Sequence, residues 1–431
     1  MGDIYANSFC TIAATASKDS NGGLFFERIP ESILPQVIQF DWTQNLPGSK
    51  ARRGTFLCDV GQMAQRYIEE APLNKRAWVS QERQLSTRLI HFTSGQLFWE
   101  CREMTACETY REGLPVWAQG YWMEDGNRLK RCMRSIAEQE RTCSEMGSTA
   151  HTKLDSYHRN IYIEWLAFRD LYSRCALTNP SDKLFAIRGI GNWIGRAIGD
   201  EMVAGLWRGR IVEELCWSKR GHSPETEMWR APTWSWAFSN DEIVHSSLTR
   251  NHGHHSSRHI TGAVVNLDVR SKTSGELEHA SMRIKCRLLY AVYNHGNSTS
   301  ASLRLRNENG SRYAPEPGTL TGISWPDFNS FIDKPWGEIR SMYYGYVLLI
   351  QYCLDEAHAD LDWRTHKNGD VANVPTSKHR SSQDCAEALF VQTHDNITFE
   401  RAGLFTFYNY PAVHWILDAH NLAEDRVITL I

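Results

Sequence analysis

The chain has 431 residues, enough for two or three domains and a sizeable core. Hydrophobic residues make up 42% and charged residues 23%, the composition of an ordinary globular protein, and a net charge of -3 argues against a broad nucleic-acid or anionic-membrane surface. No apolar run approaches the roughly twenty residues of a membrane-spanning helix, so no membrane span is expected.

Eleven cysteines are an odd count with no Cys-x-x-Cys pair, and the opening Met1-Gly2-Asp3 carries no apolar signal stretch. Free thiols, a reducing compartment and a cytoplasmic location are the expectation. Sixteen tryptophans predict several separate packing anchors.

Taken in order, residues 4–16 read as the end of a helix leading into a buried strand, followed by a loop over residues 17–23. Residues 37–40 and 55–58 read as strands. The basic stretch 48–54 reads as a solvated turn, and residues 60–71 as a helix stopped by Pro72. Next, Trp78, Gln81, Glu82 and Leu85 recur at helical spacing, and Ser86 stands where that helix stops. Residues 89–92 read as a strand, Gly95 as a turn residue and residues 97–99 as the returning strand. This small unit concentrates Gln81, Glu82, Arg83, Arg88 and His91 beside Trp78. Each is either a binding group or a structural partner for another polar group nearby.

Residues 102–155 are charge-rich, with Arg128, Lys130 and Arg131 among them, and read as a mobile insertion or an exposed helix. Residues 158–174 form an amphipathic pattern. Asn179-Pro180 breaks it, and Ser181 or Asp182 is placed to cap the next helix. Beyond residue 243 the helical period gives way to short β-rich runs at 260–269, 281–293, 319–325, 343–352, 388–392 and 403–408. Turns between them predict a sandwich or barrel-like β domain, with residues 366–384 as a loop and 426–431 as a closing strand tucked into the sheet.

Few motifs carry chemistry. Residues 189–195 have three glycines, but the spacing misses a dinucleotide loop by one residue and Trp193 is bulky. His252, His254, His255 and His259 crowd one stretch without a carboxylate or thiol nearby, so no metal site is assigned. Cys101 and His91 across the hairpin lack a third orienting group.

The run Trp78, Gln81-Glu82-Arg83, Leu85-Ser86, Arg88, His91-Phe92 and Trp99-Glu100-Cys101 resembles the heterokaryon incompatibility (HET) domain proteins of filamentous fungi. So do Ile4-Tyr5-Ala6-Asn7 with Thr11-Ile12-Ala13-Ala14, Tyr172-Ser173 to Asp182-Lys183-Leu184, Ala204-Gly205-Leu206-Trp207, and Ala231-Pro232-Thr233-Trp234-Ser235-Trp236-Ala237. The likeness spans about residues 4–238 in the family's order. The family's opening motifs have no counterpart, so the resemblance implies a HET domain without its first part.

The resulting expectation is an α+β chain: a truncated α/β HET-like part over 1–101, a helical region over 102–240 and a β-rich domain over 241–431. The resemblance implies non-self recognition or cell-death signalling through protein partners, with no nucleic acid, metal or cofactor and no assigned reaction. Glu82 is the catalytic candidate, and Trp78, Gln81, Arg83, Arg88 and His91 are the binding candidates. The alternatives are a nucleotide (NAD)-cleaving hydrolase using Glu82, by fold likeness of the family to Toll/interleukin-1-receptor-like modules, or an inert truncated member.

Overall fold

The computed structural model describes residues 2–29, 31, 33–41, 53–58, 62–115, 118, 128–132, 150–221, 228–245, 258–294, 302–306, 342–353, 384–393, 395–408 and 410–431. The turn at 48–52, residues 119–127 and 133–149 of the charge-rich stretch, His252, His254, His255, the run at 319–325 and residues 366–383 lie outside them. The chain divides into two compact units, Met1–Gly199 and Asp200–Ile431.

In the first unit, α1 (Gly2–Ala6) leads into β1 (Thr11–Ala13) in the predicted order, but the strand expected to be buried is so only at Ala13, with Ile12 exposed. The two strands expected next, β2 (Gln36–Asp41) and β3 (Arg53–Cys58), pair antiparallel with each other. The helix expected over 60–71 narrows to a π-helical turn at Gln65–Glu69, and a 3-10 turn, Leu73–Lys75, begins from Pro72.

Helix α2 (Ala77–Leu85) starts where Arg76 is extended and the backbone bridges to Ala176: Ala77 N donates to Ala176 O at 3.0 Å and Ala176 N to Lys75 O at 2.7 Å. Ser86 ends it by donating twice to Glu82 O, from its amide at 3.2 Å and its hydroxyl at 2.7 Å. The same hydroxyl lies 2.7 Å from Thr11 Oγ1, which pins the end of α2 to the start of β1.

The hairpin follows as β4 (Arg88–Phe92) and β5 (Leu97–Cys101), then β6 (Thr105–Cys107), giving a sheet ordered β1-β4-β5-β6 with β1 parallel to β4. Alternation along the strands buries Leu89, His91, Phe98 and Glu100 on one face. Helices α3 (Ala150–Ser173) and α4 (Phe185–Ile198) complete the unit, and α4 ends on Gly199 at φ 66°, a left-handed cap that glycine adopts without strain. Asn179 caps the 3-10 turn Pro180–Lys183, its side chain accepting from Ser181 N, while α4 starts after Leu184 with no side-chain cap, so neither Ser181 nor Asp182 caps it. Gly189, Gly191 and Gly195 are interior positions of α4, so this glycine run is helix rather than a phosphate loop.

The second unit opens with a two-residue hairpin, β7 (Met202–Val203) and β8 (Leu206–Trp207), whose turn residues Ala204 and Gly205 both have positive φ, 49° and 87°. Such a turn leaves its carbonyls pointing outward. Ser235 Oγ donates to Ala204 O at 2.6 Å and Trp236 Nε1 to Gly205 O at 2.7 Å, so two of the singled-out motifs meet at this turn. A short helix α5 (Ile211–Glu214) and the pair β9 (Trp217–Arg220) and β10 (Glu242–His245) follow, and Trp217 Nε1 donates to Trp234 O at 3.0 Å.

The β-rich part is an eight-stranded sheet of β11 (Arg258–Ile260), β12 (Ala263–Ser271), β13 (Leu277–Asn294), β14 (Ser302–Arg306), β15 (Met342–Cys353), β16 (Cys385–Thr393), β17 (Thr398–Tyr408) and β18 (Asp425–Leu430). The long β13 pairs with β18 over its first part and with β15 over its second, so β13, β15, β16, β17 and β18 close into a ring. Strands β17 and β18 are parallel neighbours, which need a crossover rather than a tight turn. Helix α6 (Tyr410–Leu422) supplies it and buries Val413, Ile416 and Ala419 among Leu289, Phe405 and Phe407. The sequence reading contains no helix there, because apolar residues at most positions from Val413 to Leu417 hide the helical period.

Candidate functional site

The sheet of the first unit carries a buried charge cluster centred on Glu100. Glu100 sits inward on β5 directly opposite Leu89 of β4, and His91, two residues further along β4, lies diagonal to it. Arg83 reaches it from α2, donating from Nε to Oε2 at 2.9 Å and from Nη2 to Oε2 at 2.6 Å. The same guanidinium forms a two-pronged pair with Glu69, 2.8 Å on each side. Lys130, in a helical stretch at residues 128–132, donates from Nζ to Glu100 Oε1 at 2.7 Å. His91 Nε2 lies 3.5 Å from Glu100 Oε2, and His91 Nδ1 lies 3.0 Å from Thr15 Oγ1. An ionised Glu100 accepts only, which favours the imidazole proton on Nε2, and Thr15 Oγ1 stands between Nδ1 and Ala13 O, the latter at 3.3 Å.

Glu100, Lys130, His91 and Thr15 are essentially without solvent exposure. Burial works against the Glu100 charge, yet Arg83 and Lys130 overcome it and hold the carboxyl well below the usual carboxylate range. Burial lowers the Lys130 amine to about 8 against the pull of Glu100, and burial also lowers His91. The line Thr15–His91–Glu100 has the order of a hydroxyl, a base and an orienting carboxylate. Buried as it is, it offers no nucleophile to a substrate and acts as a structural link from β1 to β5.

The other sequence candidates are dispersed. Trp78 Nε1 donates to Asp182 Oδ2 at 3.1 Å, and Gly189 N of α4 donates to Gln81 Oε1 at 2.7 Å. A Cβ on Gly189 would stand 2.5 Å from that oxygen, so the glycine permits α2 and α4 to approach. Glu82 faces α1, where the Tyr5 hydroxyl donates to it. Burial raises the Glu82 carboxyl, with Tyr5 and Arg76 pulling it back. Arg88 is exposed; its Nη1 donates to Phe9 O at 3.3 Å and its guanidinium lies over the Phe9 ring at 5.1 Å. Cys101 is opposite Arg88 and His91 is opposite Phe98, so strand period places Cys101 and His91 on different faces and the thiol–base pair does not form.

Of the candidates, then, Arg83 and His91 are brought together, while Trp78, Gln81, Glu82 and Arg88 go elsewhere. Sequence reasoning missed Glu69, Thr15, Lys130 and the central role of Glu100. Glu100 had a signal: it alternates with Phe98 at an inward strand position, and a carboxylate there requires a partner. Lys130 had none, and the charge-rich stretch expected to be exposed contains this fully buried amine.

A cleft of about 490 Å3 lies beside the cluster, lined by Glu69, Lys75, Arg83, Arg174, Phe168 and Tyr172 among others; Trp78, Glu82 and Arg88 do not line it. Among the described residues there is no group of three or more His, Cys, Asp or Glu able to hold a metal, and no helix long and apolar enough to cross a membrane. His259 stacks on Tyr352 with ring centroids 4.8 Å apart.

Residues 1–82 match the family model of the heterokaryon incompatibility protein (HET). Over these residues the chain is similar to that family. The matched span includes α1, β1 and most of α2, with Thr15 and Glu69 of the buried cluster. No curated protein matches the chain. No solved structure matches it.

Proposed function

We propose that this HET-like chain acts in non-self recognition or cell-death signalling of a filamentous fungus, in the cytoplasm, through contact with a protein partner. The supporting observation is how the HET motif spends its polar groups. Trp78, Gln81, Glu82, Arg83, Arg88 and His91 each engage another part of the first unit, while Ile4, Phe9 and Ile12 along α1 and β1 stand 72%, 83% and 62% exposed. Among the described residues strand β1 ends the four-stranded sheet, so these apolar side chains flank a sheet edge there. The near-neutral charge fits a protein surface better than a nucleic acid or an anionic membrane.

The hydrolase alternative rests on Glu82, a half-buried carboxyl whose proton is held more tightly than usual. One experiment separates the two. The chain, a Phe9→Asp/Ile12→Asp form and a Glu82→Gln form are expressed in a fungal host, with viability and NAD levels followed. The signalling reading expects the double aspartate form to lose its effect on viability and Glu82→Gln to keep it. NAD depletion that vanishes in Glu82→Gln would overturn that reading in favour of the hydrolase.

A further inference from the structure

The last rung of the β15–β16 ladder pairs Cys353 directly with Cys385. Both are buried and pack against each other, and both are thiols in this structure. Residues directly opposite in an antiparallel ladder have Cα atoms about 4.5–5.5 Å apart. That separation falls inside the roughly 4.4–6.8 Å that a disulfide spans. Among the described strands no other two cysteines are opposite: Cys101 faces Arg88, Cys107 faces Phe98 and Cys286 faces Arg426. The pair also stands where the chain leaves β15 and where it enters β16, so a bond between the two closes the whole connection from 354 to 384.

We infer that Cys353 and Cys385 are a redox-sensitive staple, which a small disulfide oxidant such as oxidised glutathione closes and a thiol reductant reopens. The Cys385 sulfur, as thiolate, attacks one sulfur of oxidised glutathione and expels one glutathione thiolate. The Cys353 sulfur, giving up its proton, attacks Cys385 Sγ of that mixed disulfide and expels the second. The two protons lost by the protein go to the two glutathione thiolates, and two electrons pass from the cysteines to the glutathione disulfide. Burial pushes the Cys385 thiol up, with Glu387, Cys353 and Asp384 acting in the same direction, so the pair resists casual oxidation and closes faster as pH rises.

The test incubates the full chain with oxidised glutathione at pH 7 and pH 8, followed by digestion without reduction, peptide mapping by mass spectrometry, and a thermal melt. The expected result is a Cys353–Cys385 peptide as the main cross-link, formed about tenfold faster at the higher pH, with an upward shift of the melting midpoint of about 5 °C. Dithiothreitol reverses both, and Cys385→Ala shows neither. Oxidation that modifies other thiols and leaves this pair unlinked, or no thiol loss at either pH, overturns the proposal. If Cys385→Ala does not fold, the peptide map of the unaltered chain still decides.

Discussion

Glu100 and Glu82 stand eighteen positions apart and behave as opposites. Glu100 is buried among Arg83, Lys130 and His91, and its charge compensates those of Arg83 and Lys130. Removing one partner of a buried charge group leaves the others uncompensated, so Glu100→Gln is expected to lower stability by about 3–5 kcal/mol in urea unfolding. Glu82 has its carboxyl raised by burial, so its charge is a burden that Tyr5 and Arg76 only partly offset. Glu82→Gln is therefore expected to change stability by less than about 1 kcal/mol, in either direction. A loss as large as that of Glu100→Gln would contradict this assignment of roles. Lys130 adds a pH signature. Its folded pKa of about 8 lies below the ordinary lysine value of 10.5, so the unfolded chain binds more protons between those values and stability rises with pH across that window. Lys130→Met should remove that rise.

Packing of whole elements turns on how α2 meets α4. Gly189 gives its amide to Gln81 Oε1 and leaves no room for a methyl group. In an exposed helix Gly→Ala stabilises by about 1 kcal/mol. Here the methyl displaces the buried Gln81 amide, and Gly189→Ala is expected to cost about 1–2 kcal/mol instead. Combining it with Gln81→Ala should recover part of that loss, which a double-mutant cycle reads as coupling. In the second unit the ring of strands depends on α6, which makes the parallel β17–β18 step and fills the core with Val413, Ile416 and Ala419. Ile416→Ala is expected to destabilise by about 2–5 kcal/mol, measured by urea unfolding.

At the scale of the whole chain, acid should weaken both units. Burial lowers His91 in the first and lowers His420 to about 4 in the second. Each is held neutral in the fold but takes a proton in the unfolded chain below the ordinary histidine value of 6.5. Stability is thus lost as pH falls below that value, for His420 down to about 4. Glu100 adds a loss in the same direction below the ordinary carboxylate range. Urea midpoints at pH 7.5 and pH 5 should show the drop, and a flat profile would contradict it. The α2 helix, the stop at Ser86 and the β4–β5 hairpin were legible in the sequence because spacing, capping and turn residues act over a few neighbours. The HET likeness was legible for the same reason, being carried by short runs of residues. The cluster that joins Thr15, Glu69, Arg83, His91, Glu100 and Lys130 was not, since its members come from six separate places in the chain. The same holds for the closure of the ring through β13 and for Cys353 facing Cys385. Local pattern determines which elements form. Which charges are buried together, and which thiols face each other, is decided only when distant elements pack, because burial and strand register are properties of pairs and not of a stretch of sequence.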